Sequence, residues 1–279
     1  MTSGPLTTNN LNDFHVRGWV KLRAFSTEDA VAMEQVLWQR LEKYGVLRED
    51  RSTWVNILAG GLSQRARQHR LFREAITAEF RQAVDQLLGE GWRRPKDWGS
   101  LLFSFPEVDP RPWDVATSMF HWHMDPLQNI DRVRSLICFS FLSQVLPEGG
   151  GTLLVEGSHH VVSKYFAELT PELHAQKSKV KRLRFYQYHP WLKELTTGKD
   201  LDNRSDRFMA DPTDVFGYPL RVVELTGEPG EVFITNASAV HATSRNCADR
   251  PRFMRVLGLH RDPDLTDGAL TNKSLRETT

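Results

Sequence analysis

The segment "EPGEVFITNASAVHATSRNCADRPRFMR" (Glu228–Arg255) carries the strongest indication of the fold. It begins with a Pro-Gly turn and continues into the β-branched and aromatic run "EVFITN". A polar stretch that contains His241 follows, and the segment ends in the next apolar run, "RFMR". Short runs of strand-forming residues that are separated by turn residues predict antiparallel β-strands.

Runs of the same kind occur along the chain from about residue 101 onward. They are "LLFSF", "VATSMFHWHM", "SLICFSFLSQVL", "TLLVEG", "RVVELTG", "EVFITN" and "RFMRVLGLH". Several short strands without long helices between most of them favour an antiparallel sandwich or barrel. We therefore predict that this part of the chain is mostly β.

The first hundred residues have a different pattern. "GWVKL" (Gly18–Leu22) alternates as a strand does, and a helix is predicted between Ser26, an N-cap residue, and Gly45, a helix stop. A second helical pattern runs from about Ser63 to Leu88, with its charged residues mostly opposite the apolar stripe. This region is predicted to be a mainly helical support for the strands.

The predicted organisation is a single domain of residues 1–279. Residues 1–100 are its helical N-terminal part, and residues 101–160 and 220–262 supply the strands. Residues 161–219 interrupt the strand pattern, and because long connections usually have a function we predict that this insertion is a lid. Its aromatic cluster, "FYQYHPW" (Phe185–Trp191), either closes over a mainly apolar or cyclic molecule or forms a small core beneath the insertion.

The charge balance narrows the classes of partner. With 36 Lys and Arg against 35 Asp and Glu, the chain has a formal charge of +1, without the excess that nucleic-acid or anionic-membrane binding usually requires. The sequence shows neither a signal peptide nor an apolar run long enough to span a bilayer. The two cysteines, Cys138 and Cys247, do not suggest a disulfide framework. We predict a cytoplasmic protein without nucleic-acid or membrane partners, whose oligomeric state the sequence leaves open.

The stretch "FHWHMDP" (Phe120–Pro126) concentrates metal-ligand residue types. In a strand, residues two apart point the same way, so His121, His123 and Asp125 can share one face. The pair His123 and Asp125 is typical of the facial triad, in which two histidines and one carboxylate hold Fe(II). The pair His121 and His123 suits a zinc or cupin-type site instead. In either arrangement, His241 is the candidate for the remaining histidine.

Chain order separates this motif from a second one with the same spacing. "HRD" (His260–Asp262) also reads His-x-Asp, but no histidine follows it in the chain. His241, by contrast, follows Asp125 at a distance that accommodates several strands, and Arg252 comes eleven residues later. An arginine near a facial triad would give a dicarboxylate cosubstrate a bidentate partner.

Three of these regions, "FHWHMDP", "EGGGTLLVEGSHH" and "PGEVFITNASAVHATSRNCADRPR", resemble the signature regions of the phytanoyl-CoA dioxygenase-like family of iron(II)/2-oxoglutarate oxygenases. "FHVRGWVKLRAFSTEDAVAMEQVL" also resembles the opening strand and helix of that family. The stretches around residues 46–100 and 161–219 are unmatched. The resemblance implies a mostly β fold with flanking α-helices and a double-stranded β-helix (jelly-roll, cupin-like) core.

The resemblance also implies a set of site residues. His123 and Asp125 correspond to the proximal iron ligands and His241 corresponds to the distal one. Arg252 falls at the position of the 2-oxoglutarate arginine, and Thr243 matches a small hydroxyl residue two positions after the distal histidine. Thr152 either faces the cosubstrate or packs within the sheet.

The activity that the resemblance implies uses Fe(II), 2-oxoglutarate and O2. It would hydroxylate an unactivated C–H bond of a small, mainly apolar or cyclic metabolite while 2-oxoglutarate is converted to succinate and CO2. Halogenating relatives replace the carboxylate ligand with a small residue, so the aspartate at position 125 favours hydroxylation or a related desaturation or cyclisation. Two alternatives stay open: a cupin-like metalloenzyme that uses His121, His123 and His241 for hydrolysis or isomerisation, and a non-catalytic ligand-binding relative.

Overall fold

The fold is described from a computed structural model of the protein. The described residues are 4–54, 59–74, 76–89, 91–92, 94–108, 111–116, 121–124, 135–197 and 203–261. Asp125 and the tail that begins at Asp262 lie outside these ranges. All elements below belong to the described part of the chain.

The helices divide into an N-terminal group and a group between two strands. They are α1 (Thr8–Arg17), α2 (Thr27–Leu41), α3 (Ala59–Arg67), α4 (Arg70–Glu74), α5 (Ala78–Leu88), α6 (Ser158–Ala167), α7 (Pro171–His174), α8 (Ser178–Tyr186), α9 (Pro190–Thr197) and α10 (Arg204–Met209). The strands are β1 (Trp19–Arg23), β2 (Ser100–Ser104), β3 (Ser135–Phe141), β4 (Leu153–Glu156), β5 (Thr213–Val215), β6 (Tyr218–Glu224), β7 (Glu231–Asn236), β8 (His241–Ala242) and β9 (Arg252–His260).

The strands form two antiparallel sheets. The larger sheet has the order β1-β7-β3-β9-β2, and the smaller one has the order β5-β6-β4-β8. From β3 onward the chain passes back and forth between the sheets: β3, β7 and β9 belong to the larger, and β4, β6 and β8 to the smaller. This alternation is the winding of a double-stranded β-helix, and the predicted fold class is confirmed.

Side-chain alternation along the strands sorts the apolar residues into three layers. Cys138 of β3 faces the N-terminal helices, whereas Phe139 faces the space between the two sheets. On the smaller sheet, Leu154 faces the same inner space and Val155 packs against the insertion helices. β3 is therefore buried on both faces, which explains its unbroken apolar sequence. The inner space between the sheets is called the inner compartment below.

The predicted strands match the observed ones closely where their residues are described. "EVFITN" and "RFMRVLGLH" coincide with β7 and β9. "SLICFSFLSQVL" gives β3, which stops at Phe141 because the next two N–H groups, of Leu142 and Ser143, both point to the carbonyl of Phe253. "VATSMFHWHM" lies partly outside the described residues, and within 121–124 only His123 forms a bridge.

The N-terminal helices confirm one prediction and correct another. Ser26 caps α2 by accepting the N–H of Asp29 at 3.0 Å. A 3-10 turn (Glu42–Tyr44) follows the end of α2 and stops at Gly45, whose φ is +79°. The helical pattern predicted between Ser63 and Leu88 is three helices, because Thr77 accepts the N–H of Phe80 and so begins α5 anew. Helix α1 was not predicted, since its sequence is largely polar.

The insertion is helical from α6 to α10 and ends in β5. Of its aromatic cluster, Phe185, Tyr186 and Trp191 are buried in the layer outside the smaller sheet. This burial agrees with the second of the two predictions for the cluster, a core beneath the insertion. That the insertion acts as a lid stays a prediction. In the described part of the chain, no helix combines the length and apolarity needed to cross a bilayer.

Candidate metal centre

Two histidines from distant parts of the chain meet at the edge of the smaller sheet. His123 and His241 form an antiparallel bridge, in which the N–H of His123 donates to the carbonyl of His241 at 2.8 Å and the reverse bond measures 2.9 Å. Their ring centroids are 4.1 Å apart. His241 is itself held in register because it opposes Leu154 of β4.

Each imidazole is oriented by a backbone carbonyl two residues earlier. The Nδ1 atom of His123 lies 2.9 Å from the carbonyl oxygen of His121, and Nδ1 of His241 lies 3.0 Å from that of Ala239. A carbonyl oxygen only accepts, so Nδ1 carries the proton in both rings and the lone pair is on Nε2. Metal-ligating histidines are commonly oriented by such a second hydrogen bond.

The electrostatics keep His241 neutral. It is 6% exposed, and its pKa is lowered to about 4, mainly by burial and to a smaller extent by the neighbouring His123. A histidine must be deprotonated to bind a metal ion. His241 is therefore in the ligand form at any pH near neutrality.

The predicted carboxylate ligand, Asp125, lies outside the described residues. Among the residues that are described, no three His, Cys, Asp or Glu side chains come together as a metal-binding group. His121, His123 and His241 are all described, so the all-histidine alternative is not assembled: the His121 side chain is exposed, and only its carbonyl takes part in the site. His260, from the second His-x-Asp motif, pairs instead with the Ser135 hydroxyl at 2.7 Å.

Side chains of the insertion bond to the backbone of the segment that precedes His123. The Tyr186 hydroxyl donates to the carbonyl of Trp122 at 2.5 Å, and the Trp122 indole N–H donates to the carbonyl of Ala116 at 2.9 Å. The buried Arg204 also donates from Nη2 to the carbonyl of Ala116, at 3.2 Å, and from Nε to that of Val115, at 3.1 Å. These bonds fix the chain immediately before His123.

Arg252 begins β9 and points into the inner compartment beside Met254. It is 7% exposed, and burial lowers the pKa of its guanidinium to about 10. Nη1 donates to the carbonyl of Gly150 at 2.8 Å, whereas Nε is buried without a hydrogen-bond partner among the described residues. An unpaired donor on a buried cation fits an incoming carboxylate.

A serine that sequence reasoning missed lies next to this arginine. Ser104 is directly opposite Arg252 in the β2–β9 ladder, so the two side chains share a face of the sheet. Its hydroxyl is buried and has no hydrogen-bond partner among the described residues. Two unpaired donors therefore lie at the same end of the inner compartment. Only the strand register reveals this, because "LLFSF" by itself has no motif.

The other arginines near Arg252 in the sequence are placed elsewhere. Arg245 pairs with Glu107 at 2.8 Å, and Arg250 is exposed and pairs with Asp249. Arg255 lies on the opposite face of β9, with its guanidinium 4.8 Å from the centre of the Phe72 ring. Spacing alone could not choose among these arginines, but the direction of the side chain does.

The two threonines named from the sequence differ in environment. Thr152 is buried immediately before β4, two residues from Leu154, and therefore shares the face of the sheet that carries the His241 partner. Thr243 follows β8 and is exposed. Of the two threonines, Thr152 is the one that lines the inner compartment.

The inner compartment has a closed end and an open end. Arg252 and Met254 are buried at the start of β9, while Gly258 and His260, on the same face, are exposed at its end. His241 lies between these ends, with its ring 5.8 Å from that of Phe139. The histidine pair therefore lies between a buried cation and solvent.

Comparison with solved structures supports this description of the fold. The chain is similar to EctD from S. alaskensis, crystallised with 2-oxoglutarate and 5-hydroxyectoine, with a TM-score of 0.52 and 16% identity over 93% of this chain and 78% of that one. It is also similar to SnoK, a non-heme alpha ketoglutarate dependent carbocyclase from nogalamycin biosynthesis, with a TM-score of 0.54 and 17% identity over 96% of this chain and 91% of that one. No family model and no curated protein matches the sequence. At these identities the likeness establishes a shared jelly-roll fold.

Proposed function

We propose that the protein is an Fe(II)/2-oxoglutarate-dependent dioxygenase that hydroxylates an unactivated C–H bond of a small molecule. The observation that carries this proposal is the pairing of His123 and His241, each with Nδ1 bonded to a carbonyl and its lone pair on Nε2. Asp125, two residues after His123, would be the third ligand. Two histidines and one carboxylate are the ligand set of non-haem iron oxygenases.

The remaining residues of the site have roles that follow from their positions. When bound, Fe(II) with 2-oxoglutarate and O2 would supply the oxidation of the C–H bond, with succinate and CO2 as coproducts. Arg252 would bind the far carboxylate of 2-oxoglutarate, using the Nε that has no partner among the described residues, and the Ser104 hydroxyl would be its neighbour. Thr152 is a second hydroxyl, on the inner face of the smaller sheet, whereas Thr243 is exposed and its role as a cosubstrate residue rests on the motif alone.

The substrate would enter from the open end of the inner compartment. The inner faces of β3 and β9 offer Ile137, Phe139 and Val256 between His241 and that end. These apolar walls would exclude water and orient a mainly apolar or cyclic molecule with its reacting carbon toward the metal. EctD, which shares the fold, was crystallised with 2-oxoglutarate, and SnoK, which also shares it, is a 2-oxoglutarate-dependent enzyme. Both support 2-oxoglutarate as the cosubstrate here.

The test is an anaerobic titration that does not require the substrate. Addition of Fe(II) and 2-oxoglutarate to the purified protein is expected to produce the weak visible charge-transfer band of a chelated 2-oxo acid. Asp125→Ala should abolish the band, and His121→Ala should keep it, because the His121 side chain is exposed. Loss of metal binding in His121→Ala would favour the all-histidine site. A band without succinate formation on any of a broad panel of compounds would favour a non-catalytic relative.

A further inference from the structure

A half-buried carboxylate holds the loop that contacts Arg252. Glu224 ends β6 and lies against residues 148–151, which we call the glycine loop. Its Oε2 accepts the N–H of Glu148 at 2.7 Å, and its Oε1 accepts the N–H of Gly151 at 2.8 Å. The N–H of Gly150 also points to this carboxylate. One side chain thus accepts two hydrogen bonds from the loop and has a third loop N–H directed at it.

The conformation of the glycine loop is fixed by its packing against neighbouring side chains. Gly150 has a φ of +79°, and a Cβ there would lie 3.0 Å from the Cβ of Asn246 and 3.1 Å from the Ser104 Oγ. Only glycine fits both the backbone angle and this close approach. The carbonyl of the same Gly150 accepts Nη1 of Arg252. Gly150 therefore connects Glu224, through its N–H, to Arg252, through its carbonyl.

The charges at this end of the inner compartment are few. Among the described residues, the charged groups that face Glu224 are Glu148, from the glycine loop, and Arg252, from β9. The pKa of Glu224 is raised to about 7, mainly by burial and to a smaller extent by the Glu148 charge, against the lowering effect of the loop N–H groups. The Glu224 carboxylate in turn favours the charged form of Arg252.

Binding of 2-oxoglutarate would place a carboxylate beside the guanidinium that already feels the charge of Glu224 across Gly150. One buried cation would then face two anions in a medium of low polarity, where like charges repel strongly. We propose that Glu224 is a positioning residue for Arg252, acting through the glycine loop, and that it takes up a proton from solvent when 2-oxoglutarate binds. The inference rests on the proposed function, because it takes Arg252 as the cosubstrate arginine.

Calorimetry measures the proton directly. Mn(II)-loaded protein is titrated with 2-oxoglutarate at pH 7.5 in two buffers that differ in ionisation enthalpy, so the difference in heat gives the number of protons bound. The wild type should take up more than about half a proton per 2-oxoglutarate. Glu224→Gln should take up almost none. Glu228→Gln is the matched control: it removes an exposed carboxylate that bonds to Gln144 rather than to the glycine loop, and its uptake should stay close to the wild-type value.

The pH dependence of binding is a second readout that needs no variant. Because proton uptake tightens binding at low pH, the Kd of the wild type for 2-oxoglutarate should rise about fivefold or more between pH 6.5 and 8. A flat Kd, or equal uptake by the wild type and Glu224→Gln, would overturn the inference while leaving the proposed function intact. If 2-oxoglutarate does not bind the metal-loaded wild type at all, the proposed function fails and this inference fails with it.

Discussion

Arg252 and Arg255 lie three residues apart on β9, and they face opposite sides of the larger sheet. Both are buried, and burial lowers the pKa of each to about 10. Arg255 packs on Phe72 and donates to the carbonyl of Gly99, in the layer of the N-terminal helices. Arg252 points into the inner compartment. Each guanidinium keeps one nitrogen without a partner among the described residues, Nε in Arg252 and Nη1 in Arg255, so the two arginines differ in the side of the sheet that they face.

A second pair of buried residues shows the same contrast. His159 and His241 are both kept neutral by burial, which lowers their pKa values to about 3 and about 4. The Nε2 of His159 is used on the carbonyl of His15, which joins α6 to α1. His241 is hydrogen bonded through Nδ1 instead, and its Nε2 is on the side of the inner compartment. Similar side chains thus pack against the helices outside the sheets and, in the proposed function, bind ligands between them.

The largest expected effect is the loss of the metal. His241→Ala should lower Fe(II) affinity by at least about 100-fold, because a ligand matters more than the groups that orient it. His121→Ala, an exposed neighbour, should leave the affinity within about twofold. Anaerobic equilibrium dialysis of both variants measures this, and equal losses would contradict the ligand assignment.

The two arginines should separate cosubstrate binding from stability. Arg252→Met should weaken 2-oxoglutarate binding by about 10- to 100-fold, the value of one or more hydrogen bonds to a charged group. Arg255→Met should leave that Kd nearly unchanged but lower the free energy of unfolding by about 2 kcal/mol, through loss of the Gly99 bond and the Phe72 contact. Titration with 2-oxoglutarate and urea denaturation of both variants test this. A weaker 2-oxoglutarate complex in Arg255→Met would contradict the contrast.

The strands and the two histidines of the site could be predicted from the sequence, whereas some of its other residues could not, for a physical reason. Strands such as β7 and β9 follow from local propensity and turn residues, and the order of the motifs indicated His123 and His241. Ser104 and Glu224 could not be found in this way. Each enters the site through pairing with a distant strand or loop, and the sequence of a strand does not show which strand lies beside it.

The pH dependence of stability should come from the outer histidine in the metal-loaded protein. His159 has a folded pKa of about 3, below its unfolded value near 6.5, so the unfolded state binds the proton first and stability falls as the pH drops below 6.5. The titratable neighbours that face it are His15 and His160. Between pH 6.5 and 5 the expected loss is about 2 kcal/mol.

His159→Gln should flatten this loss, as measured by urea denaturation at pH 5 and pH 7. Metal should protect His241 from protonation but leave the His159 contribution in place, since His159 lies outside the inner compartment. An unchanged loss in His159→Gln would show that other groups dominate the acid response.

The smallest expected effect concerns the insertion. Tyr186→Phe removes the hydroxyl that donates to the Trp122 carbonyl, which should cost about 1 kcal/mol of unfolding free energy. Because this bond lies just before His123, Fe(II) affinity should also fall, by less than tenfold. Tyr44→Phe, at an exposed tyrosine, is the control and should change neither quantity measurably. Metal titration and thermal unfolding of both variants check this expectation, and identical behaviour would mean that the insertion does not support the motif.

The central claim is that His123, Asp125 and His241 bind one ion, with Arg252 behind it. A crystal structure of the protein with Fe(II) and 2-oxoglutarate, grown without oxygen and measured at the iron absorption edge, tests it most directly. The anomalous peak should lie at about 2.1 Å from Nε2 of both histidines, with the Asp125 carboxylate as third ligand and the far carboxylate of 2-oxoglutarate on Arg252. A peak that is bonded to His121, or a 2-oxoglutarate that does not contact Arg252, would contradict the account.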